Sequence, residues 1–548
     1  MPNSPGATVV PVLPRVLVVG DGEAARQTAE LIARRQPVTL IIPQERLSGP
    51  AGLVSHNNIS VCNGARILSV HGQWGNFAVT VKTEGSEQQV TAGAIVLAMD
   101  PVPGRLNRDC LLPAGERVWP LSRFSPQAIP NYVCSVSFLV GAGENDWALT
   151  FIPALRAAVE LVERGIDVNF FFREYRVSAP GLEELCHRAR QAGVNMYRYQ
   201  EPPSGRVLPE GVALVYRDPF LTEEFPVLQV VSDLLVVAEE YALPQEAMAL
   251  AELLGLARGA SDRLQPTNVH YWPVKSSRPG VYLVGSCRDL ALAGEAWLDA
   301  AVVASEVSRL AGGRMEVEAG YAVVEPARCA LCLTCYRVCP YRAVEIKGQP
   351  QNRTYGAAAW IHPLACQRCG LCAAECPSAA ITLGLSNAEK WAESQEIRFG
   401  SSEPGEASAV CLQVFACANS SWLLTRDVGR SLESKLAHLA GQDQIIVQRV
   451  PCAGQVGEPE VLSALLHGAD GVLVLPCYDQ NCRHRRGNRR WHQRGDNVSW
   501  FLSDVGLEPE RLHWRPLSAS SHQLVVTVNE MLERLRALGP WHKGRSAG

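Results

Sequence analysis

The 548-residue sequence lacks the features of a membrane or secreted protein. No window reaches 18 apolar residues without a charge, so no transmembrane helix is predicted. The N-terminus has no basic stretch followed by an apolar run and a small-residue cleavage site, as a signal peptide has. We therefore expect a cytoplasmic protein, with attachment to a membrane complex through partner proteins left open.

Strong charge and low-complexity segments are missing as well. The formal net charge is −4, from 51 basic and 55 acidic residues, which is too small to predict nucleic acid or another strongly charged partner. Hydrophobic residues make up 47% of the chain, enough to fill large cores. The length predicts three or four domains of about 150 residues each.

Cysteine, by contrast, is abundant and unevenly placed. Of the 18 cysteines, five are scattered between residues 62 and 287, eight fall between 329 and 376, and five between 411 and 482. A disulfide framework belongs to small secreted domains and spreads its cysteines differently. Clusters of cysteine in a long chain without a signal peptide point to metal binding.

Eight cysteines form two copies of the motif C-x2-C-x2-C-x3-C-P, the spacing of bacterial two-cluster ferredoxins. Three cysteines of a copy bind one [4Fe-4S] cluster, and the fourth, held away by the proline, binds the other. The first cysteine set is therefore Cys329, Cys332, Cys335 and Cys376, and the second cysteine set is Cys339, Cys366, Cys369 and Cys372. Zinc is the alternative. Two neighbouring clusters make an electron relay, not a catalyst.

Alternating strand and helix patterns divide the chain into regions. Such alternation predicts a sheet covered by helices on both faces. The predicted fold class is a multidomain α/β protein: a two-lobed FAD/NAD(P)-type Rossmann-like region, a 2[4Fe-4S] ferredoxin-like α+β domain and a small parallel α/β domain. The predicted bounds are 14–313 for the two lobes, with the second lobe at about 130–265 inserted, 318–385 for the ferredoxin-type domain, 386–407 for a linker and 408–540 for the last domain.

The C-terminal cysteines lie where predicted strands end. Helical patterns at 430–441 and 457–468 separate the strands, which are therefore expected to be parallel, with their carboxyl ends at one edge. Ligands bind in the crevice at that edge. An iron–sulfur cluster or zinc suits four thiolates there, and buried core cysteines are the alternative. The third cysteine set consists of Cys417, Cys452, Cys477 and Cys482.

This region resembles the delta subunit of methyl-viologen-reducing hydrogenase. The resemblance rests on "VPCAGQV", "GADGVLVLPCYDQNC" and Gly487–Asn488, and it covers about residues 408–540. It implies a [2Fe-2S] cluster on the third cysteine set, with electron transfer between a partner dehydrogenase and a heterodisulfide reductase. The family reads F-x-C-x-x-C at the first strand, whereas Ser420 stands in the last place here. If that serine replaces a ligand, Cys411 or an oxygen ligand has to substitute, or the site is lost.

A basic run follows the third cysteine set. It forms either a solvated helix face, a docking surface for an acidic partner, or a counter-charge to an anionic cluster. The sequence leaves these alternatives open. The run contains Arg483, His484, Arg485, Arg486, Arg489, Arg490, His492 and Arg494.

The first predicted strand leads into a glycine-rich turn. Gly20, Gly22 and Ala25 follow the G-x-G-x-x-A pattern between a strand and a helix. The glycines permit a tight turn and the close approach of a pyrophosphate to the N-terminus of the helix. A lone motif of this kind is weak, and its strand–turn–helix context strengthens it.

With the ferredoxin-type block behind it, the region 14–385 resembles the A-type component of heterodisulfide reductase, HdrA. It is also similar to the B-type component of the quinone-interacting membrane-bound oxidoreductase. "VNFFFREYRVSAPGLEELCHRARQAGVNMYRY" and "GAIVLA" carry this likeness. The resemblance implies FAD, bound through the glycine-rich turn and through Gly285 and Asp289.

Several positions depart from that family. The second strand ends in Ile42, where the family has an acid for the adenosine ribose, although Glu45 is near. The family's "GAIVLATG" reads "GAIVLAMD" here, ending in Met99 and Asp100. Two alternatives follow: FAD bound through other contacts, or a scaffold that has kept the fold without the flavin.

The expected function is that of an iron–sulfur (flavo)protein component in a cytoplasmic electron-transfer complex of heterodisulfide reductase type. Electrons would pass between a C-terminal [2Fe-2S] port, two [4Fe-4S] clusters and an N-terminal FAD. Expected partners are redox proteins of heterodisulfide reductase B or C type and of hydrogenase or dehydrogenase type, in a hetero-oligomer without nucleic acid. The alternatives are a flavin-free relay and assembly adapter, and a third cysteine set that holds structural zinc or acts as a thiol sensor. No catalytic residue is assigned.

Overall fold

The structure, a computed structural model, describes most of the chain. The described residues are 8–43, 56–83, 85–106, 112–141, 147–174, 181–217, 227–259, 262–268, 272–288, 296–383, 410–420, 443–479, 481–517 and 521–541. Glu45, Asp289, the predicted linker 386–407 and the helix predicted at 430–441 lie outside them. Within these ranges, no helix is both long enough and apolar enough to cross a membrane.

The central strands of the first lobe are short, and their side chains are buried. In β2 and β8 every residue is buried, as in central strands with helices on both faces. The elements of this part are β1 (Thr8–Pro11), β2 (Val16–Val19), α1 (Glu23–Ala33), β3 (Val38–Ile41), β4 (Ile59–Cys62), β5 (Arg66–Gln73), β6 (Asn76–Lys82), β7 (Glu87–Ala92), β8 (Ala94–Leu97) and β9 (Val102–Leu106). Strands β5, β6 and β7 form an antiparallel meander.

The second lobe is inserted after β9. Its elements are β10 (Val118–Pro120), β11 (Ser135–Val140), α2 (Trp147–Glu163), β12 (Asp167–Phe172), α3 (Leu182–Ala192), β13 (Asn195–Arg198), β14 (Ser204–Val207), β15 (Val212–Tyr216), β16 (Leu228–Ser232) and β17 (Leu234–Val237). A five-stranded parallel sheet has the order β10-β17-β11-β12-β13, and β14, β15 and β16 form a separate antiparallel sheet. Phe151 of α2 and Phe138 of β11 both pack against Phe170 of β12.

The chain then returns to complete the first lobe. The returning elements are β18 (Glu239–Ala242), α4 (Gln245–Leu254), β19 (Pro266–Asn268), β20 (Trp272–Ser276), β21 (Val281–Leu283), α5 (Ala296–Val307) and β22 (Arg314–Val317). Strand β18 pairs with β9, so the second lobe leaves and rejoins the first at one place. The main sheet has the order β19-β20-β21-β8-β2-β3-β4. Its five strands from β21 to β4 are parallel.

A small α+β block carries the eight motif cysteines. Its elements are β23 (Ala322–Val324), α6 (Thr334–Val338), β24 (Val344–Gly348), β25 (Ala357–Ile361), α7 (Leu371–Ala374) and β26 (Ile381–Leu383). Strand β23 pairs with β26 and β24 with β25, both antiparallel. Each cysteine motif thus contains one short helix and is followed by one strand.

The last domain is a parallel sheet between helices. Its elements are β27 (Cys411–Cys417), β28 (Gln444–Val450), α8 (Glu458–Leu466), β29 (Gly471–Leu475), α9 (Gly487–Asp504), β30 (Leu512–Trp514) and α10 (Ser521–Leu538). The sheet order is β28-β27-β29-β30, and all neighbours are parallel. The predicted multidomain α/β class, with its parallel C-terminal sheet, is therefore confirmed.

Candidate functional site

The first cysteine set surrounds one cavity. Cys329, Cys332, Cys335 and Cys376 line it together with apolar side chains. The backbone turns sharply on both sides of Cys332, because Leu331 and Leu333 have positive φ angles of 49° and 62°. These turns bring three successive thiols to one face of the loop. The chain brings in Cys376 from the second motif, as the spacing predicted.

The second cysteine set repeats this arrangement. Arg368 and Gly370, on either side of Cys369, also have positive φ angles, of 56° and 76°. Burial raises the pKa of the Cys372 thiol, and the next largest influences are the charges of Cys369, Cys339 and Cys366. The four thiols therefore lie close together, with Cys339 supplied by the first motif.

The fourth cysteine of each motif, which belongs to the cluster of the other motif, accepts a hydrogen bond from a backbone amide. The amide of Ala343 donates to Sγ of Cys339, and the amide of Ala380 donates to Sγ of Cys376, each at 3.4 Å. N–H donors aimed at a sulfur favour its thiolate form, which is the form that binds iron. The two copies of the motif therefore share the same hydrogen bond at their fourth cysteine.

The third cysteine set lies at the carboxyl edge of the C-terminal sheet. Cys417 ends β27, and Cys452 and Cys477 follow β28 and β29. The thiols are in mutual contact: the Cys477 thiol lowers the pKa of Cys417, and the Cys452 and Cys477 thiols lower the pKa of Cys482. The same contacts raise the pKa of Cys452 and of Cys477. Four thiols that are distant in sequence therefore share one small volume.

Glycine and asparagine shape this volume. A Cβ at Gly487 would lie 2.2 Å from Sγ of Cys452, so a side chain cannot be placed there without moving the thiol. Asn488 donates through Nδ2 to the Cys477 carbonyl at 3.2 Å and to Asp479 at 3.0 Å. The Gly487–Asn488 pair thus makes room for Cys452 and fixes the loop after Cys477.

Ser420 and Cys411, the two positions raised by the departure from the family pattern, have other surroundings. Ser420 is buried, and its hydroxyl donates to the carbonyl of Leu517. Cys411 begins β27, whereas Cys417 ends it. Six residues of extended strand separate them by about 20 Å, so Cys411 lies at the opposite edge of the sheet.

As metal ligands, the three sets remain predictions. Among the described residues, no group of three or more His, Cys, Asp or Glu side chains is already arranged to hold a metal ion. The donor chemistry of each set nevertheless fits, since four thiolates are the ligands of [4Fe-4S] and [2Fe-2S] clusters. Zinc accepts the same four donors.

The second and third cysteine sets are neighbours across a domain boundary. Tyr341, Cys369, Leu371 and Cys452 form one buried cluster, and Cys339 packs against it. Tyr341 also lies with its hydroxyl 2.5 Å from Nδ1 of His484, in the loop after Cys482. Nothing in the sequence pattern indicated this pair, because 143 positions separate the two residues.

The basic run divides between the interior and the surface. Arg494 is buried, donates through Nη2 to the carbonyl of Gly454, and places Nε 3.9 Å from Glu375 of the ferredoxin-type domain. Arg490 reaches the same carboxylate at 4.0 Å. Arg489 lies on the exposed side of α9 and pairs with Asp479. Part of the run therefore joins the two domains.

Replacing Arg494 with methionine is expected to lower the free energy of unfolding by about 2–4 kcal/mol. The change leaves the largely buried Glu375 carboxylate and the Gly454 carbonyl without this donor. The matched control is Arg489→Met on the same helix, whose ion pair is exposed and contributes about 0–1 kcal/mol. Urea unfolding followed by circular dichroism measures both, and equal destabilisation by the two variants would contradict the assignment.

The predicted glycine-rich turn lies between β2 and α1 and is closely packed. Gly20 has a φ of 155°, and a Cβ there would lie 2.1 Å from the carbonyl oxygen of Ala98. Gly22 is the N-cap of α1, and Ala25 is buried beneath the turn. These three predicted residues are therefore together at the start of α1.

The space in front of Gly22 is filled by Asp100. A Cβ at Gly22 would lie 2.0 Å from Oδ2 of Asp100, so this carboxylate packs against the turn from the end of β8. A pyrophosphate bound at the turn would need the same space beside the same backbone. The residues present therefore do not fit a dinucleotide at this turn.

Gly285, the other predicted flavin contact that the structure describes, begins a 3-10 turn after β21 with a φ of 71°. Its amide donates to Oδ2 of Asp299 at 2.9 Å, and that carboxylate pairs with Arg288 at 2.8 Å. Burial raises the pKa of the adjacent Cys287 to about 12. Its thiol donates to the carbonyl of Leu97, so Cys287 is a core residue of this lobe.

Two family models match the second half of the chain. Residues 413–539 match "Methyl-viologen-reducing hydrogenase, delta subunit", and residues 328–419 match "4Fe-4S dicluster domain". The D-type iron-sulfur component of the F420-non-reducing hydrogenase vhu of Methanopyrus kandleri is 37% identical over 95 residues, which are 17% of this chain and 72% of that protein.

The likeness to a second group of proteins covers about two thirds of the chain. The A-type component of the ferredoxin/F(420)H(2)-dependent CoB-CoM heterodisulfide reductase of Methanosarcina acetivorans is 27% identical over 378 residues, 68% of this chain and 45% of that protein. The chain thus spans about half the length of the curated HdrA-type relatives that it matches. Among solved structures, the thioredoxin reductase of T. acidophilum has a TM-score of 0.37 at 14% identity, over 54% of this chain and 98% of that one.

These matches confirm both predicted resemblances. The HdrA-type relatives account for most of the chain, and the hydrogenase relative accounts for the domain that carries the third cysteine set. The chain is a homologue of HdrA, the A-type component of heterodisulfide reductase, and its C-terminal domain belongs to the methyl-viologen-reducing hydrogenase delta subunit family.

Proposed function

We propose that this chain is the iron–sulfur relay component of an electron-transfer complex of heterodisulfide reductase type. The observation that supports this most directly is the contiguous packing of the three cysteine sets. Side chains of the first and second sets share one apolar cluster, and Cys369 and Cys452 place the second and third sets in another. Electrons move between iron–sulfur centres by tunnelling, which requires short distances through packed protein. Packing of this kind supports a path through all three sets.

The two ends of this series have different surroundings. At the first set, Cys332 is exposed, and the neighbouring Leu333 and Tyr336 are 42% and 57% exposed. At the third set, Cys482 is half-buried and the other three cysteines are buried. Each end therefore suits a different partner, and the third set serves as a separate port for electrons.

We propose a [2Fe-2S] cluster for the third cysteine set and [4Fe-4S] clusters for the other two. For the third set, four thiols in mutual contact also fit structural zinc or a thiol sensor, which is the second candidate function. Iron, sulfide and zinc analysis of the full chain separates these. Two further irons with sulfide, beyond the eight of the ferredoxin-type domain, support the relay, and one zinc supports the alternative.

For the N-terminal lobes, the contacts of Asp100 favour the flavin-free scaffold over bound FAD. No electron-transfer step is therefore assigned to a flavin. In this proposal the first lobe holds the ferredoxin-type domain in place: Arg342 donates through Nη1 to the carbonyl of Leu253 at 2.9 Å, and Gln73 donates to the carbonyl of Arg342 at 2.5 Å.

The proposed partners are redox proteins in a cytoplasmic complex. The names of the relatives describe components of heterodisulfide reductases and of hydrogenases. By analogy, we propose partners of heterodisulfide reductase B or C type and of hydrogenase or dehydrogenase type in a hetero-oligomer. No catalytic residue is assigned, so substrate chemistry belongs to the partners.

The experiment that tests this proposal begins with anaerobically purified full-length chain. We expect about ten irons and about ten sulfides per chain, with less than stoichiometric flavin after acid release. Freeze-quench EPR after mixing with one electron equivalent of dithionite should then show the reduced signal moving among the centres within the same chain. A chain with eight irons or fewer, or centres that are reduced independently, would sink the relay proposal.

A further inference from the structure

The N-terminus of α1 is in contact with an anionic side chain from another part of the first lobe. A Cβ at Gly22 would lie 2.0 Å from Oδ2 of Asp100, and a Cβ at Gly285 would lie 3.8 Å from Oδ1. Asp100 is thus wedged between two glycine turns, one at the end of β2 and one at the end of β21. Because both turn residues are glycines, no side chain at either position occupies the space of the Asp100 carboxylate.

This position is favourable for an anion. Helix α1 has 11 residues, and its N-cap Gly22 has no side chain to receive a hydrogen bond from the first turn. The first amides of a helix have no partner within the helix, and the helix dipole adds partial positive charge at that end. A carboxylate here therefore takes the role that a bound phosphate takes at other helix N-termini.

The same position is unfavourable for a second anion. A diphosphate at this turn would meet the half-buried Asp100 carboxylate beside the half-buried Gly22. Charges of like sign at contact distance repel, and partial burial weakens the screening of that repulsion by water. Both the volume and the charge of Asp100 therefore act against a dinucleotide.

The neighbouring cavity remains open. A cavity of about 420 Å³ lies at the carboxyl edge of the sheet, between β2, β3 and α4, with Met99 in its wall. Small-molecule sites have volumes of about 300–1,000 Å³, so this cavity has room for part of a ligand. The obstruction is thus confined to the turn itself.

We propose that Asp100 is an internal anion that occupies the diphosphate position of the first lobe and excludes dinucleotides such as FAD from it. The lobe keeps its glycine-rich turn because the Asp100 carboxylate, rather than a cofactor, now packs there. This inference does not depend on the relay, since no cysteine of the three sets contributes to the turn.

The test measures FAD binding by the full chain and by three variants. FAD fluorescence quenching under anaerobic conditions gives the dissociation constants for wild type, Asp100→Gly, Asp100→Asn and Glu23→Gln. Because removing a like charge and its volume shifts affinity by at least one factor of ten, Asp100→Gly should bind FAD at least about tenfold more tightly than wild type. Asp100→Asn keeps the volume without the charge and should lie between them.

Glu23→Gln is the matched control. It removes a negative charge from the first turn of the same helix, but Glu23 is exposed and pairs with Arg26 away from the turn. Its affinity for FAD should equal that of wild type. If Asp100→Gly loses its iron or its fold, the proposal is tested by Asp100→Asn alone. This variant must then bind FAD more tightly than wild type does.

Three results would overturn the proposal. One is a wild-type chain purified with near-stoichiometric FAD. Another is equal affinity for FAD in wild type and both Asp100 variants, including no binding by any of them. The third is a gain in Glu23→Gln equal to that in Asp100→Gly. The iron and sulfide contents are measured in the same samples, so failure here remains distinct from failure of the relay.

Discussion

Replacing Cys477 with serine is expected to remove about two of about ten irons from the chain and to stop electron transfer at the C-terminal port. Cys477 contacts both Cys417 and Cys482, so its loss takes away a thiol that has two partners in the third cysteine set. The fall in metal affinity should exceed the about 10–100-fold that follows the loss of a residue that only supports a ligand. Iron and sulfide analysis with EPR measures the result.

Cys411→Ser is the matched control for this variant. Cys411 is a buried cysteine of the same sheet, but it begins β27 at the edge opposite to the third cysteine set. Iron content should be unchanged in this variant, since its thiol lies about 20 Å from Cys417. Iron loss in both variants, or in neither, would show that the third set is not the site of a cluster.

Replacing Cys376 with alanine is expected to remove about four irons, and these should come from the cluster of the first motif. Cys376 belongs by sequence to the second motif, yet the structure places it in the cavity of the first cysteine set. The variant should therefore lose the same EPR signal as Cys332→Ala. Cys369→Ala should lose the other [4Fe-4S] signal.

A double variant makes this test independent of the spectral assignment. If Cys332 and Cys376 bind one cluster, the double variant Cys332→Ala/Cys376→Ala should lose no more iron than either single variant, because effects at one site are not additive. The double variant Cys332→Ala/Cys369→Ala should instead lose about eight irons. Additive loss in the first pair would contradict the crossed ligand sets.

The cysteine sets were predictable because their geometry is local or topological. Within a motif, two intervening residues leave one backbone route between thiols, and the structure uses it, with positive φ at Leu331 and Arg368. The third set followed from a rule of topology, since parallel strands end at one edge. The spacing of the cysteines and the alternation of strands and helices can both be read from a single sequence.

The domain boundary contacts were not predictable in the same way. The arginines after Cys482 form one basic run in sequence, yet Arg494 is buried and Arg489 is exposed. Arg490 and Arg494 are four residues apart and therefore lie on one face of α9, but only the docking of the ferredoxin-type domain places Glu375 there. Whether each arginine is buried in an ion pair or exposed to solvent therefore depends on the residues that the tertiary fold places beside it.

The contact of Asp100 with the glycine-rich turn was predictable only in part. The sequence showed an aspartate at the end of the "GAIVLA" strand, and it also showed the glycine-rich turn 78 residues earlier, at Gly22. It did not show that the carboxylate of one would pack against the backbone of the other. That contact depends on β2 and β8 being neighbours in the sheet, which the order of elements along the chain does not fix.

The pairing of β9 with β18 has a consequence for the order in which the chain folds during synthesis. All five strands of the inserted sheet are available once residue 237 has been made. The sheet of the first lobe keeps β8 as an open edge until β21 emerges, at residues 281–283. Domains fold as units as they leave the ribosome. The inserted lobe is therefore able to close its core before the lobe that surrounds it, although the strand that begins the surrounding lobe is made first.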